Sequence, residues 1–285
     1  MAVIQEPAWA KINLTLDVLN KRPDGYHDLK SVMQAVSLCD EITLEIGTGM
    51  PWALCCQAEG VPCDSRNLAW KAAEVFFGET KQDPKGLTIT LVKRIPSQAG
   101  MGGGSADAAA VLRGLNRHYG FPFSEAELAE LGARVGSDVP FCVIGGTAMA
   151  EGRGERLRRL PAMPPCPIVI VKPDFPVSTP ALFHAIDAHE IPIRPDQEAM
   201  EAALARGDLA RIGRELCNVF EPVVSAEHPQ ISRFRELART YGALGSQMTG
   251  SGSACFALMA SDEAARKLAE ALRPEFQQVF LANPV

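Results

Sequence analysis

From Lys11 to Val18 the chain alternates, with Ile12, Leu14, Leu16 and Val18 apolar and Lys11, Asn13, Thr15 and Asp17 polar. A period of two marks a half-buried strand, and it puts Lys11 and Asn13 on the same polar side. Further runs predict strands at Glu41 to Ile46, Ala53 to Gln57 and Leu87 to Val92. Asn67 to Phe77 and Ser105 to His118 have helical composition, and Ser124 followed by Glu127 forms a capping-box pair opening a third helix to about Val135. Leu160 to Pro167 holds four prolines in eight residues, which excludes regular helix or central strand and predicts a linker. Beyond it come a strand at Ile168 to Lys172, a mainly helical stretch, strands at Ala243 to Met248 and Ser253 to Ala260, a helix at Glu263 to Leu272, and a strand at Val279 to Ala282. That order is the ferredoxin-like one with an enlarged first crossover. Two α+β domains are therefore expected, residues 1–160 and 161–285, with a ligand cleft between them.

Composition narrows the class. Hydrophobic residues are 47% of the 285 and charged residues 22%, which excludes disordered and fibrous proteins. The net charge of -6 argues against nonspecific binding to nucleic acid or an anionic membrane, so any attraction for an anion must be local. The longest uncharged stretch, Thr240 to Ser261, contains four Gly, four Ser, two Thr and a Gln, and reads as a glycine loop between strands rather than a membrane span. Glu6 and Lys11 interrupt what a secretory leader would keep apolar, so a cytoplasmic location is expected. The eight cysteines (39, 55, 56, 63, 142, 166, 217 and 255) are scattered without zinc spacing; reduced thiols and no metal site in the protein are the expectation.

The most informative stretch is Pro96-Ser97-Gln98-Ala99-Gly100-Met101-Gly102-Gly103-Gly104-Ser105-Ala106-Asp107, between a strand ending near Arg94 and a helix starting near Ser105. Glycines let a backbone approach polyphosphate closely, and a helix N-terminus adds a partial positive charge of ~0.5, so phosphate is the expected occupant. Neither a Walker A sequence nor a convincing dinucleotide fingerprint is present. A loop that merely turns the chain is the alternative. A second glycine loop, Thr249-Gly250-Ser251-Gly252-Ser253, joins two predicted strands and could be ordinary hairpin chemistry. Asp138, in Gly136-Ser-Asp-Val-Pro140, could be a helix cap. Lys11 could be a solvated strand lysine and His27 a loop histidine.

Taken together these segments resemble one family. Pro96 to Asp107 resembles the second signature of the GHMP kinases, which phosphorylate small molecules such as galactose, homoserine and mevalonate, and Met248 to Ala254 resembles the third. Ala10-Lys-Ile-Asn-Leu14, Arg22-Pro-Asp-Gly-Tyr-His27 and Gly136 to Pro140 resemble more closely the branch whose alcohol substrate carries a cytidine diphosphate. The five matches span residues 10 to 254. Two departures stand out: Asp107 where Asn is common, and Ser251 and Ser253 flanking Gly252.

The resemblance implies a two-domain α+β GHMP kinase fold, with an N-terminal ATP-binding domain like domain 2 of ribosomal protein S5 and a C-terminal ferredoxin-like domain, a cleft lying between. It implies ATP-dependent phosphorylation of the 2-hydroxyl of 4-diphosphocytidyl-2-C-methyl-D-erythritol. Lys11 and Asp138 carry over as catalytic residues, the carboxylate taking the hydroxyl proton while the ammonium keeps it ionised. Pro96 to Ala106 carry over as the ATP phosphate loop, Asn67 as an adenine contact and Lys93 as a phosphate contact. Asn13, Tyr26, His27, Phe183, Gly250 and Gly252 carry over to the substrate side, two aromatic rings sandwiching the cytosine while the imidazole reads its edge. Mg2+ should accompany ATP, held chiefly by phosphates and waters, with Ser105 the side chain placed to help. No nucleic acid, membrane or obligate protein partner is expected. The alternatives are a kinase for homoserine or mevalonate, which have no base for Tyr26 and His27 to read, and a catalytically silent nucleotide-binding homologue.

Overall fold

The structure is a computed structural model that describes residues 1–188 and 191–285. Its strands are β1 (Ala2–Asn13), β2 (Thr15–Lys21), β3 (His27–Ile46), β4 (Ala53–Cys56), β5 (Leu87–Val92), β6 (Thr147–Gly152), β7 (Arg156–Arg159), β8 (Ile168–Lys172), β9 (Cys217–Asn218), β10 (Ala243–Met248), β11 (Cys255–Met259) and β12 (Gln278–Ala282). Its helices are α1 (Leu68–Thr80), α2 (Gly103–His118), α3 (Glu125–Ala133), α4 (Val139–Ile144), α5 (Thr179–Ala188), α6 (Gln197–Arg206), α7 (Leu209–Arg214), α8 (Glu221–Glu227), α9 (Pro229–Thr240) and α10 (Asp262–Leu272). Among the described residues no helix is long and apolar enough to cross a membrane. Two compact units interleave along the chain: Met1–Ala10, Cys39–Ile95 and Gly102–Gly145 form one, and Lys11–Leu38, Pro96–Met101 and Gly146–Val285 form the other.

In the first unit β5 lies between β4, to which it runs parallel, and the C-terminal part of β3, with Glu41 opposite Val92. The alternating apolar residues Ile42, Leu44 and Ile46 and Leu87, Ile89 and Leu91 are all buried, as a strand period of two requires. Helix α2 carries a run of buried alanines and Val111, Leu112 and Leu115, and α1 brings Phe76 and Phe77. The capping box at Ser124 is present, its side chain and that of Glu127 each taking the other's backbone N–H.

In the second unit a four-stranded antiparallel sheet has the order β10-β11-β8-β12, the strand order of a ferredoxin-like domain. Val169 and Val171 of β8 share an apolar core with Phe234 of α9 and Leu268 and Leu272 of α10. The N-terminal part of β3 pairs with β2 and with β6, β6 pairs with β7, and β2 runs parallel to the two-residue β9. The proline-rich stretch has no helix or strand, yet Met163 and Cys166 within it are buried, and Thr147 accepts from Leu160 N and, through its hydroxyl, from Met163 N. It is an anchored connection inside this unit, where the sequence pattern alone predicted a linker.

Candidate active site

In the first unit the chain enters α2 through Gly102, whose φ of 71° is left-handed and which supplies no side-chain cap. Only a residue without Cβ takes that conformation at low cost. The first-turn N–H groups of Gly103, Gly104 and Ser105 are therefore left for a ligand, as an anion site requires. Gly136 packs against the same turn: a Cβ there would lie 3.9 Å from Ser105 Oγ. Two residues on, Asp138 occupies the cap position of the short helix α4, but its side chain makes no capping bond. The half-buried carboxylate is not a helix cap.

Lys93 follows β5 and its ammonium is held by Asp40 and, at 2.5 Å, by Asp107. Asp40 is fully buried and also accepts from the backbone N–H of Arg94 (2.5 Å) and Ile95 (2.8 Å). Burial pulls the Lys93 pKa down, but the two carboxylates outweigh it and the net direction is up. With its side chain 10% exposed, Lys93 sits beneath the start of α2, about where a Cβ on Gly103 would approach it to 3.6 Å. Its charge is shared between Asp40 and Asp107. The Asn67 amide is engaged at both ends: its Oδ1 caps α1 by accepting from Ala69 N, and its Nδ2 donates to Pro62 O.

In the second unit Lys11 Nζ donates to Asn13 Oδ1 at 2.7 Å, the contact their shared strand face allows. Asn13 Nδ2 donates to Ser31 Oγ at 2.7 Å, and Asn13 N donates to Thr249 Oγ1 at 3.0 Å. Asn13 is 0% exposed with both ends of its amide engaged, and it orients the Lys11 ammonium. The backbone N–H of Lys11 donates to Met101 O, and Ala254 N donates to Ala99 O, so Pro96–Met101 and the Thr249–Ser253 loop meet beside Lys11. Gly250 has a φ of 57°, and a Cβ on it would stand 2.6 Å from Gly100 O. Gly250→Ala should therefore cost more than about 1 kcal/mol, read as a lower urea midpoint; an unchanged midpoint would remove this contact from the account. Gly252, expected on the substrate side, has its left-handed φ of 85° against the Met248 side chain.

His27 is buried, its Nε2 lies 2.7 Å from Asp187 Oδ1, and its ring stacks on Phe183 at 4.7 Å between centroids and 18° between planes. Lys21 pairs with the second oxygen of Asp187 and holds its carboxyl below the usual range, with His27 adding to the effect. Tyr26 is 54% exposed and carries the Arg153 guanidinium 3.8 Å above its ring. The expected sandwich of a base between rings is thus not preformed: one face of Phe183 is already covered by the imidazole. Thr179 Oγ1 donates to Ser251 Oγ, which ties the start of α5, and with it Phe183, to the Thr249–Ser253 loop of the third signature, the third glycine loop. The residues invisible to motif reading here are Ser31, Asp187 and Arg153, each known only through a partner distant in sequence.

The models of the GHMP kinase N-terminal domain and of the GHMP kinase C-terminal region match residues 67–146 and 200–278. The 4-diphosphocytidyl-2-C-methyl-D-erythritol kinase of Caldicellulosiruptor saccharolyticus is 43% identical over 279 residues, 97% of this chain and 95% of that one. The protein of the same name from Exiguobacterium sibiricum is 44% identical over 282 residues, 99% of this chain and 97% of that one. A crystal structure of a 4-(cytidine 5'-diphospho)-2C-methyl-D-erythritol kinase superposes with a TM-score of 0.82 at 35% identity, covering 99% of each chain. The homoserine kinase of Cytophaga hutchinsonii, at 22% identity and a TM-score of 0.78, shares the fold. With signature loops, strand order and full-length identity in agreement, the chain belongs to the 4-diphosphocytidyl-2-C-methyl-D-erythritol kinase family of GHMP kinases.

Proposed function

We propose that the chain transfers the γ-phosphoryl group of MgATP to the 2-hydroxyl of 4-diphosphocytidyl-2-C-methyl-D-erythritol. The observation that carries this reading is the start of α2 at Gly102 without a side-chain cap, with the non-capping Asp138 in the same unit. Asp138 accepts the proton as the hydroxyl oxygen attacks the γ-phosphorus; the bond to the bridging oxygen breaks and ADP leaves with the electron pair. Lys11, oriented by Asn13, stabilises charge on the oxygens in transit. The α2 N–H groups and the glycine backbone hold the phosphates in place, and positioning supplies much of the acceleration.

Mg2+ enters with ATP on phosphate oxygens and water, Ser105 being the hydroxyl at the turn. A division into an N-terminal and a C-terminal domain is part of the proposal, supported by the two family matches at residues 67–146 and 200–278. So is a cytoplasmic setting, supported by eight cysteines that are all unpaired thiols.

On the substrate side, Tyr26, His27 and Phe183 are the base-recognising group, with Asp187 fixing the imidazole. His27→Ala should raise KM for the cytidyl substrate by about tenfold or more, one lost charge-assisted contact, while KM for ATP stays unchanged; a rise in the ATP value alone would move His27 to the nucleotide side. An ADP-release assay offering the cytidyl substrate, homoserine and mevalonate separately tests the whole reading. Turnover with the cytidyl compound is expected, and turnover with homoserine or mevalonate in its place would overturn it.

A further inference from the structure

Away from these loops, the second unit contains a cavity of about 450 Å³ between the end of α7, the outer face of α9 and the start of β10. Its floor is backbone. Gly213 of α7 and Gly245 of β10 approach so closely that a Cβ on either would overlap the other segment's main chain, so neither side fills the space, and the β10 register slips between Ala243 and Gly245. Its walls carry three arginines, Arg214, Arg235 and Arg239, with Arg235 and Arg239 one turn apart on α9. The one carboxylate in the lining, Glu236, pairs with Arg233. Arg235 pairs with Glu221 at 2.6 Å, whereas among the described residues neither Arg214 nor Arg239 has an acceptor. Surplus positive charge is concentrated here in a chain whose net charge is -6.

Glu221 links this cavity to the third glycine loop. It is buried; Oε1 takes Arg235, and Oε2 accepts from Met248 N, the residue before Thr249, at 2.5 Å. Asn218 Nδ2 completes the clamp by donating to Met248 O and Gly250 O. Burial pushes the Glu221 carboxyl up and Arg235 opposes that, so the strength of the loop's anchor depends on where the guanidinium sits.

We propose that this cavity binds a small phosphate-bearing anion through Arg214, Arg239 and Arg235, and that the bound anion draws Arg235 from Glu221 and loosens the third glycine loop. Guanidinium forks match phosphate oxygens two at a time, and the volume suits a metabolite-sized ligand. Binding stands apart from the phosphoryl-transfer reading; only a consequence for turnover rests on it. The test titrates inorganic diphosphate into the full chain by calorimetry, in metal-free buffer, for the natural sequence and for the Arg214→Gln, Arg239→Gln double variant. Both positions are exposed helix residues, so folding is preserved and is checked by the thermal melt. The natural chain should show a binding event, beyond any at the α2 loop, that the variant weakens about tenfold or more. Hydrogen exchange at the amides of residues 249–253 should quicken with diphosphate in the natural chain and not in the variant. Identical titrations for the two proteins would overturn the site, and binding without faster exchange would overturn the coupling.

Discussion

Asp138→Asn is expected to lower kcat at least ~100-fold, the low end for loss of a general base, with the melting temperature of the natural protein retained. The substitution keeps the volume and removes both the proton acceptor and the negative charge. Asn serves as a helix cap about as well as Asp, so a residue present only for capping would tolerate this change in both rate and stability. The Asp138 side chain makes no capping bond to the first turn of α4, while its backbone oxygen accepts from Cys142 N and that bond survives the change. The measurement is steady-state ADP release at saturating ATP and cytidyl substrate, beside a circular dichroism melt. A rate within threefold of the natural one, roughly 0.6 kcal/mol of barrier, would remove Asp138 from the chemistry and leave positioning as its role.

Which parts of the fold and site are legible in the sequence follows from what local pattern encodes. Strands with one buried face, such as Ile42-Thr-Leu-Glu-Ile46, announce themselves through alternation, and the capping box at Ser124 through two residues three apart. The upstream part of β3 does not alternate, because Ser31, Val32, Met33, Gln34, Ala35 and Val36 are all buried. Its polar members are satisfied by distant partners: Ser31 donates to Thr15 O, and Gln34 accepts from Thr147 Oγ1. The short β6 and β7 hairpin escaped for a related reason, since β6 is buried on both faces, and its partner β7 is the arginine-rich Arg-Leu-Arg-Arg segment. The site divides in the same way. Glycine loops and the Lys11–Asn13 face are local features, whereas the Asp187 partner of His27 and the Asp40 partner of Lys93 lie 160 and 53 residues away. A single chain carries no pattern that pairs them.

Lys93→Met is expected to destabilise the protein by about 3–5 kcal/mol, the cost of removing the one cation from a buried charge cluster. The ammonium is the shared partner of Asp40 and Asp107, both buried, and Asp107 Oδ1 has no hydrogen-bond partner among the described residues. Methionine fills much of the stem volume but leaves two carboxyls facing each other. Even with Lys93 present, burial pushes the Asp107 carboxyl up to about 7; Lys93 opposes the rise and Asp40 adds to it. The folded-state value lies above that of an unfolded carboxyl, so the folded chain holds a proton that the unfolded chain releases as pH rises from about 4 to 7. Stability from this group is complete at low pH and is lost across that window. Asp107→Asn removes the titration and leaves Asp40 to balance Lys93. Relative to the natural chain, this variant should gain on the order of 2 kcal/mol between pH 5 and pH 8, read from urea unfolding at the two values. The opposite sign would mean that Asp107 is ionised throughout and that its bond to Lys93, rather than its burial, governs the cluster.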